Sequence, residues 1–254
     1  MLYYEVKGSG KPVVLVHGFM ENHKMWDFLP LDESEYQSIL VDLPGHGLSD
    51  SEFVLHSMEF MADEIMEVLN RTGIAEAYFV AHSMGGYVIL ALMQRYPDVV
   101  KGLTLFFSSP FADTEDKKMQ RLRAVESAQN DLDAFINVGV PNLFNANLIQ
   151  DLKDEIIIAK SWAKEATLQG ITAAILGMRE RPERTDILLN TTIPVQVICG
   201  SFDSAVNTEL VRKTLAGYPH ISIKELPIGH MGHLEAPESC ENLILQFLQK
   251  KYIR

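Results

Sequence analysis

Ten residues, Tyr78 to Tyr87 (YFVAHSMGGY), leave this chain little choice of local structure. The apolar run Tyr78 to Ala81 ends at His82, Ser83, Met84, Gly85 and Gly86, and a helix-like segment, Tyr87 to Tyr96, follows until Pro97 breaks it. Strand, tight turn, helix is the outline. A serine at the apex of such a turn is held in a strained backbone conformation that aims its hydroxyl outward, and the strain is tolerated only between small neighbours. Ala81 and Gly85 are those neighbours, a GxSxG pattern with alanine for the first glycine. An ordinary strand-to-helix loop could carry the same letters, so the context must decide.

The context is an alternation of strands and helices. Leu2 to Lys7 and Pro12 to Val16 read as strands around a turn, and the second ends at His17, Gly18, Phe19 and Met20. Gln37 to Val41 is a further strand, followed by the turn-rich DLPGHGLS of Asp42 to Ser49. Between Ser57 and Thr72 the apolar residues Met61, Ile65, Val68 and Leu69 recur at the helical period, and Gly73 is a natural stop. Gly102 to Phe107 is again a strand. Such spacing implies a mainly parallel sheet covered on both faces. From about Phe111 to Asn190 the pattern turns helical and charged, with helices expected over Asp116 to Ser127, Leu132 to Val138, Leu148 to Leu168 and Ile171 to Arg179. Pro194 to Cys199 restores a buried strand, Asn207 to Ala216 a helix, Ile221 to Leu226 a strand, and a last helix runs from Pro237 to Gln249. Residues 1–108 and 191–254 are thus expected to form the core, and 109–190 a helical lid.

Composition narrows the function. A formal charge of −12 with no basic cluster beyond short pairs such as Lys117 and Lys118 argues against nucleic acid or an anionic membrane surface as partner. No apolar run reaches membrane-spanning length, and the N-terminal MLYYEVKGSGKP lacks the pattern of a signal peptide. Two cysteines, Cys199 and Cys240, cannot build a disulfide framework and suggest a reducing, cytoplasmic compartment.

Five motifs in order, HGFM (His17 to Met20), DLPGHGLS, AHSMGG (Ala81 to Gly86), GSFD (Gly200 to Asp203) and GHMGHLEAP (Gly229 to Pro237), make the chain resemble an α/β-hydrolase over nearly its whole length. The resemblance implies an α/β fold with a mostly parallel, eight-stranded sheet and a helical cap inserted after the sixth strand. It implies Ser83 as nucleophile, Asp203 as acid and His230 as base, with the backbone N–H groups of Phe19 and Met84 as oxyanion donors. The chemistry suits these types: serine needs a base to take its proton, histidine serves near neutrality, and an aspartate holds the imidazole in the productive tautomer. No metal or organic cofactor is expected, and the partner is a small-molecule substrate.

Alternatives stand beside each assignment. Asp203 could cap the helix that follows it, with Asp113 as rival acid, and His233 competes with His230. A metal reading of His230, His233 and Glu235 lacks a further ligand of suitable spacing. His17, Asp42, His46 and His82 are read as structural, and so is Glu235, at the positive end of the last helix. Phe111, Phe144 and Trp162 are the candidate substrate contacts in the lid, and the want of a basic or amide cluster there suggests a mainly apolar acyl group. The expected activity is hydrolysis of a carboxylic ester, lactone or thioester. Carbon–carbon bond hydrolysis, or a ligand receptor with slow turnover on the same fold, would use the same residues.

Overall fold

Apolar runs of four to seven residues become the strands of one sheet, and the periodic segments between them cover it. The computed structural model describes residues 1–252. Its strands are β1 (Tyr4–Lys7), β2 (Lys11–Val16), β3 (Tyr36–Val41), β4 (Ala77–His82), β5 (Val100–Phe106), β6 (Val195–Gly200) and β7 (Ile221–Leu226). They lie in the order β1-β3-β2-β4-β5-β6-β7. β1 is antiparallel to β3, and every other pairing is parallel. The sheet therefore has seven strands among the described residues, not eight. Seven is also the number of strand-like runs in the sequence; the eighth came only with the family resemblance, and no described segment pairs with the outer edge of β1. The helical insertion accordingly follows the fifth strand rather than the sixth.

Every residue of β4 and β6 is buried, as expected for central parallel strands with helices on both faces. The helices of this layer are α1 (Met58–Thr72), α2 (Met84–Arg95), α8 (Thr208–Leu215), the short α9 (Gly232–Glu235) and α10 (Pro237–Tyr252). α1 shows why such segments fold as they do. The Ser57 hydroxyl accepts the Phe60 N–H at 3.1 Å, Met61, Ile65, Val68 and Leu69 fill the buried stripe, and Gly73 ends the helix at φ 70°.

Between β5 and β6 lie α3 (Glu115–Asn130), α4 (Leu132–Gly139), α5 (Lys153–Ala163), α6 (Leu168–Glu180) and α7 (Thr185–Asn190). The single helix expected over Leu148 to Leu168 is shorter. Residues 148–151 are turns, and the chain leaves the helix before Thr167 because that side chain caps α6, accepting the Gly170 N–H at 2.9 Å. α7, six residues long, has too little periodicity to stand out in sequence.

Close contacts fasten this helical segment to the sheet. A Cβ on Gly170 would fall 2.3 Å from the carbonyl oxygen of Gly45, and the Thr167 N–H donates to that same oxygen at 3.2 Å. The Asp113 carboxylate, with no exposed side-chain surface, takes the Arg121 Nε at 3.0 Å and the Arg181 Nη2 at 2.8 Å. Arg181 in turn lies over the Tyr87 ring, 3.9 Å from its centre. Removing one partner of a buried ion pair leaves the other charge uncompensated, at about 3–5 kcal/mol. Asp113→Ala is therefore expected to destabilise the protein by about that amount, read as a lowered urea midpoint. An unchanged midpoint would show that the Arg181 guanidinium is solvated.

Candidate active site

Ser83 follows β4 directly and sits at φ 48°, ψ −114°, a left-handed conformation that costs a non-glycine residue about 1–3 kcal/mol. Its neighbours over-determine it. The Ser83 N–H donates to the Phe106 carbonyl at 3.0 Å, while its own carbonyl accepts from the Gly86 N–H at 3.0 Å and the Ser108 hydroxyl at 2.7 Å. A Cβ on Gly85 would meet the His17 carbonyl at 2.6 Å, and one on Gly86 would meet the Ser108 Oγ at 2.3 Å. Ala81 pairs with Val16 in the ordinary parallel register, so alanine is accommodated where the pattern has glycine.

Three strand ends meet here, as the carboxyl edge of a parallel sheet allows. Asp203 lies just beyond β6, and His230 lies beyond β7, released by Gly229. The His230 Nδ1–H donates to Asp203 Oδ2 at 2.8 Å, and Nε2 lies 2.8 Å from Ser83 Oγ. With Asp203 ionised, Nδ1 of the neutral ring must carry the proton, leaving Nε2 to accept from the serine hydroxyl. Burial alone would raise the Asp203 carboxyl. The His230 ring beside it, and the N–H groups of Val206 and Ala205 at 2.9 and 2.7 Å, outweigh burial and hold it below its usual range.

The rival residues go elsewhere. Asp113 is held by its two arginines. His233 is fully buried, stacked on Trp162 with 5.9 Å between ring centres, and burial pushes it down to about 3. Glu235 does not serve the last helix; its carboxylate accepts the N–H groups of Asn145, Gly229 and Met231 at 3.1, 2.9 and 3.1 Å, pinning the turn that carries His230. His17 and Asp42 hold loops. The His17 Nδ1–H donates to the Gly18 carbonyl at 2.7 Å while Nε2 accepts the Leu43 N–H at 2.8 Å. Asp42 accepts the N–H groups of His23 and Leu48. The His46 Nδ1–H donates to the Pro44 carbonyl at 3.0 Å, fixing the same loop.

The His17 bond also aims the loop that carries Phe19. In a trans peptide the C=O and N–H point opposite ways, so turning the Gly18 carbonyl toward His17 turns the Phe19 N–H away from it. The Gly18 N–H is already taken by Glu21 Oε2 at 2.7 Å. Met84 is the first residue of α2, so its N–H has no acceptor within the helix and lies at the helix's positive end.

Glu21 is the residue that sequence reading missed. Its Oε2 accepts from His82 Nδ1 at 2.6 Å, and His82 Nε2 meets the His230 carbonyl at 3.1 Å. A carboxylate and a carbonyl both accept, so both ring nitrogens of His82 carry protons. Burial opposes that charge, and Glu21 outweighs burial to hold His82 above its ordinary value. Glu21 is itself pushed up by burial, but His82 outweighs this and brings it down to about 2. The signal in sequence was an acidic residue four beyond His17, directly after the apolar pair Phe19 and Met20. Glu21, His82 and His233 also form a group whose ligand atoms all lie within 4.8 Å of one another. The bonds just described already occupy Glu21 Oε2 and both nitrogens of His82, which a metal would have to displace.

A cavity of about 310 Å³ opens onto Ser83 and His230. Phe19, Tyr87, Leu143, Met178 and Met231 supply its apolar wall. Phe111, Phe144 and Trp162 do not line it: Trp162 is buried between Phe28 and His233, Phe144 is buried in the core, and Phe111 packs beside the Arg181 pair. The wall is also less apolar than expected, since Lys117, Gln120, Arg121, Asn142 and Ser204 face the cavity. α3 is charged all round, so its sequence does not reveal which charges turn inward.

Comparisons relate this chain to known proteins. A family model described as the alpha/beta hydrolase fold matches residues 11–237. The malate-bound structure of a thermophilic esterase from Thermogutta terrifontis is 30% identical, with a TM-score of 0.92 over 98% of this chain and 93% of that one. The pimeloyl-(acyl-carrier protein) methyl ester esterase of Yersinia enterocolitica is 24% identical over 98% of both chains. The dihydrolipoyllysine-residue acetyltransferase component of the acetoin cleaving system of Pseudomonas putida is 26% identical over 98% of this chain, which spans 66% of that longer protein.

The Glu21 and His82 pair makes stability depend on pH in two directions. A carboxyl lowered from 4.5 to about 2 contributes fully above pH 4.5 and loses its contribution as pH falls toward 2. An imidazole raised above 6.5 contributes fully below that value and loses its contribution as pH rises through the raised one. Glu21→Gln should therefore lower the melting temperature most between these limits and make its acid-side fall shallower than in the parent. Parallel curves for the two proteins would refute the pairing.

Proposed function

Because the chain belongs to the α/β-hydrolase fold family, we propose that it is a serine hydrolase cleaving a carboxylic ester, or the related lactone or thioester, of a small to medium substrate through an acyl-enzyme. The observation that carries this reading is the continuous chain from Ser83 Oγ through His230 to Asp203, 2.8 Å at each step. The 30% identity to a thermophilic esterase favours an ester as the substrate.

In the proposed cycle His230 Nε2 takes the Ser83 proton as Oγ bonds to the carbonyl carbon. Asp203 steadies the imidazolium without taking a proton. The N–H groups of Phe19 and Met84 receive the oxyanion, each such donor contributing about a hundredfold to a thousandfold to turnover. His230 then returns the proton to the departing alkoxide, which leaves as the alcohol. Water then gives a proton to His230 as its oxygen bonds to the acyl carbon, and the carbon–Oγ bond breaks as His230 returns that proton to Oγ, releasing the acid with Ser83 restored. Side chains and water complete every step, so the cycle requires no metal or organic cofactor.

Residues 109–190 are proposed as the lid, since Lys117, Leu143 and Met178 from that segment border the cavity. The proposed partner is a small molecule and not nucleic acid or a membrane. No helix among the described residues is long and apolar enough to cross a membrane. Both cysteines are free, buried thiols raised to about 12 by burial, which fits a reducing compartment such as the cytoplasm.

Turnover of short-chain aryl esters should fall at least ~1,000-fold in Ser83→Ala and His230→Ala, and about 10⁴-fold in Asp203→Asn, with circular dichroism unchanged. A fluorophosphonate should add its mass to Ser83 alone. Labelling at another residue, or a folded Ser83→Ala variant retaining turnover, would end the proposal.

A further inference from the structure

The cavity beside Ser83 holds positive charge that ester cleavage does not use. Lys117 and Arg121 are four residues apart on α3 and so share one helical face, and both line the cavity with Ser83 and His230. The Lys117 ammonium donates to the Ala205 carbonyl at 2.8 Å, and among the described residues it meets no carboxylate within 4.0 Å. Arg121 uses its Nε on Asp113, while its two Nη groups donate to no protein group among the described residues. Asp113 is shared with Arg181, so two guanidinium groups divide one carboxylate between them.

The other acidic groups nearby are already matched. Glu21 faces the cavity with the His82 imidazolium against it, and the Asp203 side chain is wholly buried behind His230. Gln120 and Asn142 add amide groups to the same wall. In a chain with a formal charge of −12, a cationic wall is a local exception that would draw in an anion and hold it.

We propose that Lys117 and Arg121 bind a carboxylate at the far end of the substrate, so that the protein prefers acid-bearing esters, such as the monoester of a short dicarboxylic acid, to neutral esters of equal length. This deepens the ester-hydrolase reading and rests on it. Two guanidinium Nη groups match the two oxygens of a carboxylate, and an ammonium adds a point charge beside them. A cavity of about 310 Å³ suits such a small substrate. Holding the remote carboxylate would also orient the scissile carbonyl toward Ser83.

The test compares monomethyl glutarate with methyl valerate by pH-stat titration, in the parent, Lys117→Met, Lys117→Glu and Arg121→Met. Calorimetry of glutarate binding to Ser83→Ala, with and without Lys117→Met, supplies a readout independent of turnover. Expected is a parent ratio of kcat/KM favouring the acid-bearing ester. That ratio should fall about tenfold or more in Lys117→Met and Arg121→Met, mainly through KM, and invert in Lys117→Glu. Added salt should reduce the parent ratio. A parent that hydrolyses both esters equally, or a ratio unmoved by every variant, overturns the inference while leaving the hydrolase reading intact. A shifted melting temperature with an unmoved ratio would mean that Lys117 only fastens α3 to the loop after β6. If neither ester is cleaved but glutarate binds in a Lys117-dependent way, the anion site stands and the ester reading falls.

Discussion

A carboxylate enclosed by protein has to find positive charge or donated protons, and Glu21 finds both within one shell. It takes the N–H of Gly18 at 2.7 Å and the Nδ1–H of His82 at 2.6 Å, and the His82 Nε2–H donates to the carbonyl of His230. Three chain segments far apart in sequence, the loop after β2, the end of β4 and the turn after β7, are thereby set in register by one buried pair. Such pairs often add little net stability, because desolvation consumes most of the attraction. What this one fixes is position: a Cβ at Gly18 would fall 2.5 Å from Glu21 Oε2 and 2.6 Å from His82 Nδ1, so the loop beside Ser83 has room for one arrangement.

Position matters because the strained serine turn is useful only if its surroundings hold still. Ser83 is locked by the Phe106 carbonyl and the Ser108 hydroxyl, and the peptide ahead of Phe19 is locked by His17. Donors aimed beforehand at the place where negative charge develops need no rearrangement when it appears. The sheet supplies the coarse geometry by ending its strands along one edge, and the buried polar network refines it to hydrogen-bond distances.

Much of this was legible from local pattern. Ser83, Asp203 and His230 each stand just after an apolar run with turn formers beside them, and the structure brings the three side chains together. The strand runs were readable because central parallel strands are apolar throughout. The strand count drawn from resemblance was not, since an edge strand depends on whether a segment exists to pair with it. Glu21 was missed because its partner His82 lies 61 residues away, and no local period links them. The pocket residues were missed for a related reason. On α3 the buried stripe is almost absent, with Ala128 its one buried residue, so nothing in its sequence separates Lys117, which faces the cavity, from Lys118, which pairs with Glu115. Large aromatics such as Trp162 attract attention as ligand contacts, yet their area is more readily used in packing.

The carboxylate of Glu235 grips Asn145 from the helical segment as well as Gly229 and Met231 from the turn after β7, and the His230 N–H is held by the Leu143 carbonyl at 2.8 Å. A helical segment stitched down at 143–145 cannot lift away as one plate without pulling on the turn that carries His230. A shift of α3 alone would leave these bonds in place, so the imidazole is insulated from movement of the segment's outer helix.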